Sequence, residues 1–149
     1  MNLSTNFTLA EFTKSQAALR LKIDNTPPQQ AIDAMKLLCE KVLEPTRAHF
    51  GKPIILSSGY RSPALNKAIG GAPTSQHAVG QAADFEIPGL DNYEVAKWME
   101  AKLNYDQLIL EMHTPGQPNS GWIHVSYRVP YRNQELTFDG RRYLTGLRA

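Results

Sequence analysis

With 149 residues, 42% of them hydrophobic and 20% charged, the chain is long enough for one domain with a real core, and its composition excludes a disordered tail, a collagen-like repeat and a coiled coil. A net charge of +2, from 16 basic and 14 acidic residues, is too balanced for a nucleic-acid footprint, and no apolar run approaches the ~18 residues of a membrane span. The single cysteine excludes a disulfide framework and a thiolate-rich zinc knuckle.

The opening Met1-Asn2-Leu3-Ser4-Thr5-Asn6 has neither a basic n-region nor an apolar h-region, so a chain made without a classical export signal is expected. The first helix signal is the capping box Thr8-Leu9-Ala10-Glu11, flanked by Phe7 and Phe12 at staple positions, with a short helix expected to about Ser15. A second start is read at Thr26 as cap with Pro27 at the first helical position. The stripe Ile32, Met35, Cys39, Val42 carries that helix onto the core, and Cys39 reads as a small buried hydrophobe. Pro45 should break or kink it before Gly51-Lys52-Pro53. The stretch from Arg61 to Thr74 reads as a long loop, a type that is often functional. Asp91-Asn92-Tyr93-Glu94 reads as another capping box, opening a helix with Val95, Trp98, Met99 and Leu103 inward and Leu90 stapled to Val95.

Strands are expected at Ile54–Leu56, Ala82–Ile87, Gln107–Glu111 and Trp122–Tyr127, and Asp139-Gly140 reads as a two-residue hairpin turn between 136–138 and 141–144. Helices come mostly early and strands mostly late, which predicts an α+β fold with a largely antiparallel sheet in a single domain spanning 1–149. Arg128, Arg132, Arg141, Arg142 and Arg148 form a loose basic cluster, read first as solvated surface and secondly as an aid to lingering on an anionic envelope.

The informative stretch is Ser75-Gln76-His77-Ala78-Val79-Gly80-Gln81-Ala82-Ala83-Asp84, which turns at Gly80 and enters a strand carrying Asp84. In Trp122-Ile123-His124-Val125-Ser126, period-2 alternation puts Trp122, His124 and Ser126 on one face. Two imidazoles and one carboxylate make three ligands and leave a fourth tetrahedral position for water, the arrangement of a catalytic rather than a structural zinc. Taken singly, each residue has a plainer reading. His124 can be a satisfied half-buried histidine, Asp84 a strand-edge charge and Gly80 a turn. Spacing alone does not show that His77 and His124 meet.

The pattern Ser-x-His-x-x-Gly-x-Ala-x-Asp, followed by Trp-Ile-His-Val-Ser, resembles the zinc D-Ala-D-Ala carboxypeptidase family of peptidases, in particular the small single-domain members of phage genomes and bacterial cell-wall enzymes. The likeness extends from Phe7-Thr8-Leu9-Ala10-Glu11-Phe12 through Ser58-Gly59-Tyr60-Arg61-Ser62-Pro63 to the Trp122–Tyr127 strand. It implies His77, Asp84 and His124 as zinc ligands, and the fold shared with the hedgehog signalling domain, a central antiparallel sheet flanked by helices. Arg61 matches the family arginine that holds or polarises substrate, a role suited to a guanidinium fork; the plainer reading is a surface salt bridge.

Many relatives carry a glutamate just before the last histidine ligand, where this chain has Asn119, Ser120 and Gly121. The remaining candidate for the general base is Glu111, which ends the apolar strand Leu108-Ile109-Leu110, a placement that resembles the small single-domain subgroup, and which by alternation shares a face with Ile109 and Gln107. A solvated strand-end glutamate is the alternative, and His113 is the rival base or oxyanion donor. His49 has no catalytic argument. The expected function is a zinc metallopeptidase acting on peptidoglycan stem peptides, as a D-Ala-D-Ala carboxypeptidase or a phage endolysin-type endopeptidase. It would reach the wall after release or export, and act as a monomer. A non-catalytic zinc-containing wall-binding module and a phage tail-associated structural protein are the competing classes; loss of the base would mark the former and an oligomerisation surface the latter.

Overall fold

The computed structural model of the chain describes residues 1–149. Six strands, β1 (Ile55–Ser58), β2 (Ala82–Glu86), β3 (Gln107–Glu111), β4 (Trp122–Ser126), β5 (Gln134–Phe138) and β6 (Tyr143–Thr145), form one sheet in the order β1-β2-β4-β3-β5-β6. Every neighbouring pair is antiparallel except β3 and β5, because the connection over 127–133 carries the chain past β3 to its far side before β5 begins. The architecture is mixed α and β, with the largely antiparallel sheet that the order of elements predicts.

Alternation decides which face is wet. Phe85, Leu108, Leu110, Ile123 and Val125 are fully buried and form the core with Met35 and Leu38 of α3 (Gln29–Leu38) and Val95, Ala96 and Met99 of α6 (Asn92–Lys102). Their neighbours in sequence, Asp84, Ile109, Glu111, Trp122 and His124, stand on the opposite face and line a cleft of about 680 Å³.

Several helix boundaries differ from expectation. The Thr8 capping box forms, but α1 (Leu9–Thr13) stops early and Ser15 caps a separate helix, α2 (Gln16–Leu21), by accepting from Ala18 N. Thr26 does not cap α3: its hydroxyl donates to Asp24 Oδ1 at 2.7 Å, and Pro28 stays extended at ψ 164°, so the helix opens at Gln29. A residue before proline is pushed out of the helical region, which delays the start. Pro45 does not end the next helix. A π-helical turn over Cys39–Leu43, with Glu44 N donating to Cys39 O, interrupts the regular α ladder just before Pro45 and leads into α4 (Glu44–Phe50).

The expected long loop after Arg61 contains α5 (Pro63–Ala68), capped by Ser62 and opened by Pro63, a signal present in the sequence. At Asp91 the cap is simpler than a reciprocal box, with the carboxylate accepting from Tyr93 N. The hairpin near the C-terminus is shifted by one residue. Phe138 pairs with Tyr143 and Asp139 N donates to Arg142 O at 3.3 Å, so the turn centres on Gly140-Arg141, with Asp139 Oδ1 accepting from both Arg141 N and Arg142 N.

Candidate functional site

The register of the central strands builds most of the site. Asp84 of β2 lies directly opposite His124 of β4, and His124 lies opposite Ile109 of β3. Opposed residues share a face with Cβ atoms ~4.5–5.5 Å apart, so carboxylate and imidazole are neighbours by construction. The His124 Nδ1 to Asp84 Oδ1 distance is 2.9 Å.

His77 reaches the same point from a 3-10 turn, Gln76–Val79, that Ser75 caps by accepting from His77 N. The turn closes at Gly80 in the left-handed region (φ 77°), where an added Cβ would lie 2.3 Å from Ala31 O. Glycine is required there twice over, by conformation and by space. The turn is pinned to the segment after β1: Arg61 N donates to His77 O at 3.1 Å, and His77 Nδ1 donates to Gly59 O at 2.7 Å. A carbonyl can only accept, so the proton sits on Nδ1 and the lone pair on Nε2. That Nε2 stands 3.4 Å from Asp84 Oδ1.

One ligand atom from each of His77, Asp84 and His124 lies within 4.8 Å of the others. The donor chemistry fits zinc: two imidazole nitrogens, one carboxylate oxygen and no thiolate. So does the surrounding shell, since a metal-bound histidine usually donates its second N–H to a carbonyl or carboxylate, as His77 does to Gly59. Burial works against ionisation of Asp84, but the hydrogen bond from His124 Nδ1, with the His77 imidazole beside it, outweighs burial and holds the carboxyl well below the usual range. Asp84 is therefore an anion, as a ligand must be.

Glu111 stands on the same face, opposite Trp122 in the β3–β4 pair. Trp122 Nε1 donates to Glu111 Oε2 at 3.0 Å, and Oε1 has no protein partner. Burial first, and the charge of Asp84 second, raise the Glu111 carboxyl above its ordinary value. Arg61 enters from the rim: Nη2 donates to Ser75 Oγ at 3.3 Å, while its buried Nε has no partner. It is not a surface salt bridge.

The sequence candidates His77, Asp84, His124, Glu111 and Arg61 thus all line one cleft. His113 does not. Its side chain is 3% exposed, with Nε2 3.1 Å from Asp91 Oδ1 at the start of α6, so it is not a rival base. His49 stacks on Trp98 at 4.2 Å, away from the cleft. Burial pushes the Cys39 thiol up to about 12, which leaves it inert.

The cleft is also lined by Tyr143 of β6 and by Arg128 and Arg132, which the sequence alone presents as part of a solvated cluster. The two arginines converge instead on Asp106, a fully buried carboxylate just before β3. Asp106 followed by strand residues carried a weak signal, because a charged residue flanking a buried strand needs a partner.

Across residues 5–126 the sequence matches the family model described as Peptidase M15. No curated protein matches the chain.

Proposed function

The chain belongs to the M15 peptidases, the zinc D-Ala-D-Ala carboxypeptidase type, and from that membership we propose that it hydrolyses a peptide bond in peptidoglycan stem peptides. The observation that carries the reading is the convergence of His77, Asp84 and His124 on one point, with Glu111 on the same sheet face. His77, Asp84 and His124 would hold the zinc. When bound, the dication supplies Lewis acidity, polarising a carbonyl and lowering the pKa of a nearby water toward ~7.

The protein's own residues do the rest. Glu111 accepts the proton of the attacking water at Oε1, while Trp122 holds Oε2 and fixes the rotamer. The water oxygen bonds to the scissile carbon, the C–N bond breaks, and Glu111 returns the proton to the leaving amine. A raised carboxyl suits this double duty, because a general base works best with a pKa near the working pH. Arg61 offers its unpartnered donors to a substrate carboxylate or to the developing oxyanion.

On this reading the chain is one peptidase domain with the fold that these enzymes share with the hedgehog signalling domain. It works on the cell wall after release or export, as a D-Ala-D-Ala carboxypeptidase or an endolysin-type endopeptidase. Glu111 in the cleft supports catalysis over a zinc-containing module that only binds the wall. No helix is long and apolar enough to cross a membrane. The test is mass spectrometry of purified peptidoglycan incubated with the zinc-loaded protein. Newly released amino acids or peptides name the bond, and an unchanged digest across several wall types overturns the proposal.

A further inference from the structure

One wall of the cleft is built on a buried charge. The Asp106 side chain is 0% exposed and its carboxylate is saturated. Oδ1 accepts from Arg132 N at 3.1 Å and Arg132 Nε at 2.8 Å. Oδ2 accepts from Arg132 Nη2 at 2.8 Å and Gln76 Nε2 at 2.9 Å, and Arg128 Nε lies 3.1 Å from the same oxygen. Gln76 is the residue before His77, so this wall is fastened to the turn that delivers His77 to the site.

One arginine would satisfy Asp106, since the Arg132 fork occupies both oxygens. Arg128 is therefore a surplus cation. It reaches Asp106 through Nε alone, and its two terminal nitrogens have no protein partner. Both side chains are 46% exposed, and both line the cleft that holds His124 and Glu111. The charges of the site add up in the same sense. Arg61, Arg128 and Arg132 balance Asp84, Glu111 and Asp106, so a bound zinc dication leaves the cleft positive. Both arginines also lie beyond residues 5–126, the segment matched by the family.

We propose that Arg128 and Arg132, clamped on buried Asp106, form an anion subsite that binds a free carboxylate of the peptide away from the bond to be cut, and so select acidic stem peptides. The inference rests on the peptidase reading and adds its substrate class. The pair suits a carboxylate because Asp106 holds both guanidiniums in place before substrate arrives, leaving the terminal nitrogens of Arg128 free to pair with it and the charge of Arg132 beside them.

The test compares one stem peptide in two forms, with its side carboxylates free and with them amidated. The zinc-loaded wild type should cut the free form with a kcat/KM roughly tenfold to hundredfold higher, the scale of a charge-assisted hydrogen bond. Arg128→Gln should raise KM for the free form and bring the ratio between the two forms toward one. Arg132→Lys keeps a cation on Asp106 but loses the two-point hold that fixes the wall, and should lose part of the preference. Equal cutting of both forms by the wild type, or an undiminished preference in both variants, overturns the subsite. If neither form is cut, the peptidase reading fails instead, and calorimetric binding of the same two peptides to metal-free protein decides the subsite. Tighter binding of the free form that is lost in Arg128→Gln supports it, and equal binding overturns it.

Discussion

Asp84 and His124 are direct cross-strand partners whose side chains touch at 2.9 Å, although 40 residues separate them in sequence. The β2–β4 register alone sets this contact. A slip of one residue would turn either side chain into the core face, where Ala83, Phe85, Ile123 and Val125 now pack. The hydrophobic pattern that fixes the sheet therefore fixes two of the three metal-binding candidates as well.

Zinc should bind with a stoichiometry of one per chain, measured by atomic emission on purified protein. His77→Ala, Asp84→Ala and His124→Ala should each lose it. Because the site is assembled only in the folded chain, zinc should raise the melting temperature and a chelator should lower it. Full zinc content in His124→Ala would remove that residue from the site.

Gly80→Ala tests the third candidate without touching a ligand. The residue sits at φ 77°, and the new methyl would meet Ala31 O at 2.3 Å, so the turn must move and His77 with it. A strained backbone of this kind costs about 1–3 kcal/mol. Thermal unfolding should report that loss, and zinc titration should report weaker binding than in the wild type. An unchanged melting temperature with unchanged affinity would show that the turn is not what places His77.

The parts of the site that follow alternation were legible in the sequence. Trp122, His124, Gln107, Ile109 and Glu111 fall on one face because period 2 puts them there. The family motif supplied the remaining link, that His77 meets this face. The errors share a cause: competition between local groups that each look sufficient. Thr26 can cap a helix, but the backbone stays extended through Pro28 and the helix opens at Gln29. Asp139-Gly140 can form a tight turn, but Asp139 accepts from the amides of Arg141 and Arg142 and the turn moves on to Gly140-Arg141. Arg128 and Arg132 were illegible for a different reason, since their buried partner Asp106 is more than 20 residues away and no periodicity links them.

Glu111→Gln keeps the side-chain size and an oxygen for the Trp122 indole while removing the proton acceptor. General acid–base catalysis is worth roughly 10²–10⁴-fold, so turnover should fall by about that factor. Zinc content and melting temperature should stay near wild type. A loss under about tenfold would mean that another group takes the proton; His113, buried against Asp91, does not line the cleft.

Arg61→Lys retains the charge and removes the fork. The guanidinium makes one side-chain contact, to Ser75, so the fold has little to lose, whereas a substrate carboxylate or oxyanion loses a bidentate partner. Activity should drop by roughly tenfold or more, the scale of one charge-assisted hydrogen bond. Zinc content should be retained, and unchanged turnover would make the arginine a bystander.

Asp106 should make the protein acid-sensitive in a defined window. Hydrogen bonds from Arg132 lead over the opposing effect of burial, with Gln76 adding to them, and bring the carboxyl down to about 2 from its ordinary 3.8. A carboxyl lowered on folding gives stability that is complete above its unfolded value and is lost as pH falls through its folded one. The window therefore runs from about pH 4 down to about pH 2, and the contribution is about 2 kcal/mol. Asp106→Asn removes this titration and leaves Arg128 and Arg132 without a counter-charge. Urea unfolding should show wild type and variant furthest apart near pH 6, with the gap closing as pH approaches 2. A gap that stays constant over that range would mean that the ionised carboxylate is not what holds the arginine wall in place.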